Sequence, residues 1–391
     1  MFYLALNKHY VILKLIVFIV NEVSDIMRVQ KIQLEDKSYP LYILLDEKFN
    51  VIENVLKYIK YLDNTGKAPN TIKSYCYHLK LFYDFLEQSN VSLNDLNYEL
   101  LANFVGWLRN PSGLVNVENF NLGESKRQEN TVNTILNATT NYLEYLARLD
   151  EIKPLDIFKM ARGRSFKSFL HHVKGDKSFR KNTLRLKEKK KITKTLSQDE
   201  IKEIINACHT YRDKFLISLL YEGGIRIGEA LSLRLEDIIT WDNEVKIQPR
   251  DLSLNESYIK SKTERIIHVT KELMGLYTNY LVYEYDEELN HDYVFINQRG
   301  PNSGQPLKYH SVADLVKRIS NRTGIEFTLH MLRHTHATEL INDEWDESYV
   351  QKRLGHANVQ TTRQFYVHPS NDIMKKVYKK YLTTREEKKI E

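Results

Sequence analysis

The chain has 391 residues, enough for two or three domains, and a hydrophobic fraction of 42%, enough for real cores. Lys and Arg number 57 against 51 Asp and Glu, a net charge of +6 that suits a nucleic-acid partner without requiring one. Its two cysteines, Cys76 and Cys208, lie far apart with no Cys-x-x-Cys pair, which argues against a disulfide framework or a cysteine-based zinc site and suits a reducing cytoplasm.

Residues 11–20 are mostly apolar but carry Lys14 and are too short to span a bilayer. No small-residue cleavage site follows, and Met27 opens a polar stretch. Residues 1–26 therefore read as a mis-assigned start or an extension, and no membrane partner is expected. Residues 1–67 are taken as an N-terminal, arm-like region. It has strand-like character over 29–45 and helical character over 52–62. It can be a DNA-contacting arm or can pack on the next domain; the lack of a basic cluster favours packing.

From Asn70, the apolar residues Ile72, Tyr75, Leu79, Phe82, Phe85 and Leu86 recur at helical spacing. A second helix is expected over 100–108, stopped by Asn110-Pro111-Ser112-Gly113, and a third carries Val132, Ile135, Leu136, Tyr142, Leu143 and Leu146. Residues 68–150 thus form an all-α module of about four helices. Residues 151–195 read as a basic linker: up to position 194 they hold fifteen Lys and Arg against four acids. Such a run is either a solvated connection or a strap on DNA phosphates. The candidate contacts are Lys167, Lys177, Arg180, Lys181, Arg185, Lys189, Lys190 and Lys191.

A second domain, 196–391, opens on the capping-box signal Ser197-Gln198-Asp199-Glu200. Helices are expected at 227–235, 312–321, 329–342, 348–353, 361–365 and 372–382. Strands of a small antiparallel sheet are expected at 245–247 and 257–269. Ile373, Met374, Val377, Tyr378, Tyr381 and Leu382 make an apolar stripe near the end. It can be buried on its own domain or on a neighbouring protomer.

Six polar residues in this domain suit work on a phosphodiester. Arg226 follows Gly223-Gly224, whose freedom allows a tight turn into a helix. Glu229, three residues on, either orients Arg226 or makes an ordinary surface ion pair. His330 and Arg333 stand at i and i+3, on one helix face. A zinc reading of His330 and His334 fails: the metalloprotease motif needs Glu after the first His, where Met331 stands, and Arg333 opposes a divalent cation. His334 and His336 read as helix-face or packing residues. His356 lies in Leu-Gly-His, and Tyr366 follows ten residues later after Gln-Thr-Thr. Lys260 and Lys262 share one strand face, so geometry does not choose between them.

The order Arg, Lys, His-x-x-Arg, Leu-Gly-His, Tyr resembles the tyrosine recombinase (phage integrase) family. The resemblance is specific over 196–382 and looser over 68–150, through Asn70-Thr71-Ile72-x-x-Tyr75. The wording Leu-Gly-His-Ala-Asn-Val-Gln-Thr-Thr is similar to the integrase and transposase A proteins of site-specific transposons. Two departures stand out. His268 takes the usual place of a proline, and many relatives space the last histidine and tyrosine by nine.

The resemblance implies a mainly α fold with a small antiparallel sheet in an α+β catalytic domain, which with a helical, SAM-like core-binding domain clamps DNA. It implies Tyr366 as nucleophile, forming a 3′-phosphotyrosyl bond that conserves the energy of the broken link. Arg226, His330, Arg333 and His356 would serve the phosphate. Lys260, or alternatively Lys262, would protonate the 5′-oxygen. No cofactor or metal is implied. The partners implied are double-stranded DNA, three further copies in a tetramer on two duplexes, and other recombinases of the same element, in the cytoplasm at the nucleoid. The rival readings are an Xer-type resolvase of chromosome dimers and a catalytically silent DNA-binding regulator.

Overall fold

The structure, a computed structural model, describes residues 3–6, 9–12, 27–34, 37, 39–111, 125–162, 178–188, 194–250, 264–286 and 289–355. The chain divides into two compact units, Met1–Lys190 and Lys191–Glu391. Lys167, Lys177, Lys189, Lys190, Lys191, Lys260, Lys262, His356 and Tyr366 lie outside the described residues, as do the helices expected at 361–365 and 372–382.

The first unit begins with an antiparallel pair, β1 (Tyr3–Leu6) and β2 (His9–Ile12). A second pair follows, β3 (Arg28–Ile32) and β4 (Leu41–Leu45), with Val29 opposite Leu44. Four helices come next: α1 (Glu53–Asn64), α2 (Pro69–Gln88), α3 (Tyr98–Arg109) and α4 (Glu129–Arg148). Pro69 sits at the first helical position, where its missing N–H costs nothing. The Asn97 side chain accepts from Leu100 N and starts α3 two residues before the sequence pattern suggests.

Where about four helices were expected within 68–150, three α-helices are described, and the helix expected separately over 52–62 is α1. Its Val55, Tyr58, Ile59 and Leu62 share one core with Ile72, Leu79, Phe82, Leu101, Phe104, Leu136 and Tyr142. Tyr42 and Leu44 of β4 join the same core. Packing therefore runs unbroken across position 67, and residues 27–62 belong physically to the helical unit.

The segment expected as a linker is partly folded. β5 (Phe158–Arg162) pairs antiparallel with β6 (Ser178–Asn182). The buried Asn133 of α4 receives Leu186 N and donates to Leu186 O and Glu188. Arg185 pairs with Glu188 at 2.7 Å. Arg185 thus sits on a stretch tied to α4 through Asn133.

In the second unit, α5 (Gln198–Asn206) starts at the predicted box: Ser197 N donates to Glu200, and Glu200 N to the Ser197 hydroxyl. α6 (Tyr211–Glu222) buries Phe215, Leu216, Ile217, Leu219 and Leu220 almost consecutively. A helix apolar on all sides leaves no stripe for periodicity to detect, so the sequence pattern does not mark it. α7 (Ile227–Leu231) is shorter than expected, because the Ser232 hydroxyl bonds back to Glu229 O at its end. β7 (Ile238–Ile239), β8 (Glu244–Ile247) and β9 (Arg265–His268) form the small antiparallel sheet, with Val245 opposite Ile267. α8 (Lys271–Glu284), α9 (Tyr309–Thr323), α10 (Leu329–Asn342) and α11 (Glu347–Leu354) complete the described unit. The fold is mainly α with small antiparallel sheets, as the sequence implies. Among the described residues, no helix is long and apolar enough to cross a membrane.

Candidate active site

Arg226 is the residue that caps α7, in extended conformation after a turn at Gly224 with φ of +58°. That glycine is required twice over. The conformation disfavours a side chain, and a Cβ would stand 2.4 Å from His336 Cδ2. The turn also points the Gly224 carbonyl at Arg333, which donates to it at 2.7 Å.

Arg333 and His330 both lie on α10, as their spacing implies. Thr328 caps this helix, accepting from Met331 N, so His330 sits in the first turn and Arg333 one turn later. Arg333 is 4% exposed. Its second donor reaches Leu354 O at 2.7 Å, at the end of α11. Arg226 donates to the next carbonyl, Gly355 O, at 3.1 Å. Guanidinium groups bound to successive carbonyls are neighbours, so Arg226 and Arg333 converge beside the residue that precedes His356. Among the described residues, each of these two side chains uses two of its five N–H groups, leaving donors for a ligand.

Glu229 is not a surface partner. It is 1% exposed, and its two oxygens take four hydrogen bonds. Oε1 accepts from Arg226 Nη1 at 3.1 Å and Arg265 Nη1 at 3.2 Å. Oε2 accepts from Arg226 N at 2.8 Å and Arg265 Nη2 at 2.7 Å. Burial raises the Glu229 carboxyl, but the bonds and charge of Arg265, then Arg226, outweigh it and hold the group below its ordinary value as a carboxylate.

The electrostatics favour an anion. Burial and then the nearby Arg226 charge push the Arg333 guanidinium down to about 9, which leaves it charged at neutral pH. Partial desolvation, then Arg333 and Arg226, hold His330 below the ordinary imidazole value and favour its neutral form. It can accept a proton or donate one hydrogen bond. His334 packs edge-on against His330 with ring centres 4.6 Å apart, and burial pushes it down to about 4. His336 is buried as a packing residue and accepts from Arg353 Nε at 3.1 Å.

The sequence pattern does not reveal Arg265 or Arg353. Arg353 Nη2 bonds Glu222 O and His268 O, each at 3.0 Å, tying the end of β9 to α11. The one available signal for Arg265 was its register: it shares the inward face of β9 with Ile267, and a charge on an inward face needs a buried partner. His268, in the usual place of a proline, is exposed and lies 3.4 Å from Glu244. Of the candidate phosphate contacts, Arg185 is described, exposed and paired with Glu188; Arg180 and Lys181 lie on β6.

Family comparison agrees with this geometry. Residues 194–372 match the phage integrase family, and residues 55–150 match the phage integrase N-terminal SAM-like domain. The second match begins at 55 and so takes in α1. The chain belongs to the phage integrase family, the tyrosine recombinases, which cleave and rejoin DNA. It is 61% identical over 363 residues to "Transposase A from transposon Tn554" of Staphylococcus aureus, across 93% of this chain and 100% of that relative. It is 27% identical to "Tyrosine recombinase XerC" of Staphylococcus aureus, across 80% of this chain and 90% of that one. Among solved structures, the Tn1549 transposon integrase bound to transposon right end DNA shares the fold, with a TM-score of 0.58 at 15% identity, covering 84% of this chain and 99% of that one.

Proposed function

We propose that this chain is the strand-exchange enzyme of a mobile element, a transposase A that cuts double-stranded DNA at the element's ends and rejoins it through a 3′-phosphotyrosyl bond. Tyr366 attacks the scissile phosphate. Arg226 and Arg333 hold its non-bridging oxygens and neutralise the charge that builds as the fifth bond forms. His330 takes the tyrosine proton or hydrogen-bonds the phosphate, and His356 serves the phosphate with it. Lys260, or Lys262, protonates the departing 5′-oxygen. The reverse attack by a 5′-hydroxyl of the partner strand restores the backbone, so neither nucleotide hydrolysis nor a cofactor enters the balance.

The observation that carries this reading is the convergence of Arg226 and Arg333 on Gly355 O and Leu354 O, one residue before the Leu-Gly-His histidine. Identity of 61% to a transposase A along that relative's whole length favours transposition over a chromosomal resolvase. The helical and catalytic domains would clamp one duplex. Residues 151–195 would lie along its phosphates through Lys167, Lys177, Arg180, Lys181, Arg185 and Lys189–Lys191. Four copies would assemble on two duplexes, alongside other recombinases of the element, at the nucleoid.

A trap tests it. Nicked DNA from the element's ends loses the short 5′-hydroxyl strand after cleavage and blocks religation. Wild type should give an adduct that survives SDS and yields to protease, and Tyr366→Phe should give none. An adduct from both moves the nucleophile elsewhere; salt-sensitive binding with no adduct on authentic ends supports the silent regulator.

A further inference from the structure

We propose that Arg265 is a positioning residue of this site: its guanidinium fastens Glu229, and through it Arg226, to the strand leaving the lysine-bearing segment and to the turn preceding His356. The proposal rests on the recombinase reading above and adds a third arginine that never touches the phosphate.

Three observations carry it. First, three successive carbonyls at the end of α11 each take a different arginine. Arg353 O accepts from Arg265 Nε at 2.9 Å, Leu354 O from Arg333, and Gly355 O from Arg226. The end of a helix leaves its last carbonyls unpaired and carries partial negative charge, so guanidinium groups satisfy both needs. Second, Gly355 is held at φ of +63°, and a Cβ there would lie 2.8 Å from Arg265 Nη1 and 2.9 Å from Cζ. The glycine of Leu-Gly-His is therefore also the space in which Arg265 sits. Third, Arg265 is 6% exposed, so its charge is placed for the protein interior and not for solvent.

The sharing of Glu229 gives the mechanism. A carboxylate has about four lone-pair sites, and here two belong to Arg226 and two to Arg265. Arg226 spends one guanidinium nitrogen on the acid and a second on Gly355 O, and its remaining N–H groups are left for a ligand. Without Arg265, a buried carboxylate short of two donors draws the Arg226 guanidinium into a two-point pair. That pair competes directly with the phosphate. Arg265 also stands at the first residue of β9. Arg250, at the other end of segment 251–264, makes a two-point pair with the buried Asp237 at 2.6 and 2.9 Å. Both feet of the lysine-bearing segment are thus pinned by arginine–carboxylate pairs.

The test measures single-turnover adduct formation by the full chain at saturating protein, on a normal scissile phosphodiester and on a methylphosphonate, which lacks one negative oxygen and needs less arginine charge. Arg265→Gln should slow the phosphodiester by about 10²-fold while DNA affinity changes by less than about 3-fold. On the methylphosphonate its deficit should shrink to under about 10-fold, as for Arg226→Ala, because the charge Arg226 would meet is gone. Arg265→Lys keeps the charge without the fork and should fall between Arg265→Gln and wild type; it decides the matter if Arg265→Gln does not fold. Equal deficits on both linkages, loss of DNA affinity in step with melting temperature, or a wild-type rate would each overturn the proposal. Absence of adduct with wild type would instead overturn the recombinase reading beneath it.

Discussion

In the helical unit the largest buried side chains are rings. Phe104 meets Phe82 and Phe85 with centroids 5.3 Å apart, and the Tyr83 and Tyr142 hydroxyls bond at 2.6 Å. Its buried carboxylate, Asp84, is met by Met27 N and Lys80. The second unit buries rings as well, among them Phe215, Tyr280, Tyr293 and Phe295, but also sets Glu229, Arg265, Arg333 and His336 inside. Glu229 and Arg265 pair directly, Arg265 and Arg333 bond the successive carbonyls Arg353 O and Leu354 O, and His336 accepts from Arg353. A core of rings responds to a loss locally, as a cavity. A buried charge network responds as a whole, because each removed partner strands the others in a low dielectric. The difference marks where the molecule keeps a stable scaffold and where it keeps a preset electrostatic field.

The strongest way to test this contrast is a matched pair of truncations. Glu229→Ala leaves two buried arginines without their shared acid and should destabilise the second unit by about 3–5 kcal/mol in denaturant melts. It should abolish adduct formation as well. Phe104→Ala should cost the first unit a similar amount, about 3–5 kcal/mol, yet leave adduct formation measurable wherever the protein is still folded. Equal effects of both on chemistry would break the distinction.

Gly224→Ala is the next step down. It places a methyl group against His336 at a positive φ, and a loss of about 1–3 kcal/mol is expected, with Arg333 displaced from the Gly224 carbonyl. A neutral outcome would show that the turn tolerates the group and that this carbonyl does not fix Arg333.

A pH series sharpens the same contrast more gently. Burial, then Arg353 and Arg333, push His336 down to about 3 from an ordinary 6.5. The unfolded chain then binds the proton more readily, so stability rises with pH in the window between these values. Stability should be complete above pH 6.5 and be lost progressively as pH falls from 6.5 toward 3. His336→Gln should flatten that slope in urea titrations. The smallest expected effect is at Arg185. If it meets DNA phosphate, Arg185→Ala should reduce the salt slope of binding by about one, without changing adduct chemistry on bound DNA.

Much of the scaffold was legible in the sequence because its helices are amphipathic. Ile72, Leu79 and Phe82 announce α2, and Ser197 with Glu200 marks the start of α5 to the residue. α6 escaped because it is buried on every side. The packing of α1 on the helical domain was legible from its lack of a basic cluster, and Val55 and Phe104 do share a core, although a boundary drawn at 67 from composition cuts through that core. At the site, the motifs single out Arg226, His330 and Arg333, while the meeting of Arg226 and Arg333 at the end of α11 is visible only in the fold. Arg265 was not legible, since its partners stand 36 and 88 residues away and a strand arginine reads by default as solvated. Lys260, Lys262, His356 and Tyr366 remain sequence assignments, outside the described residues.

One tyrosine among 25, Tyr366, is proposed to carry the DNA. The most direct measurement is mass spectrometry of the protease-digested adduct trapped on the element's ends. A nucleotide remnant is expected on the peptide containing Tyr366 and on no other. A remnant on a different tyrosine would contradict it.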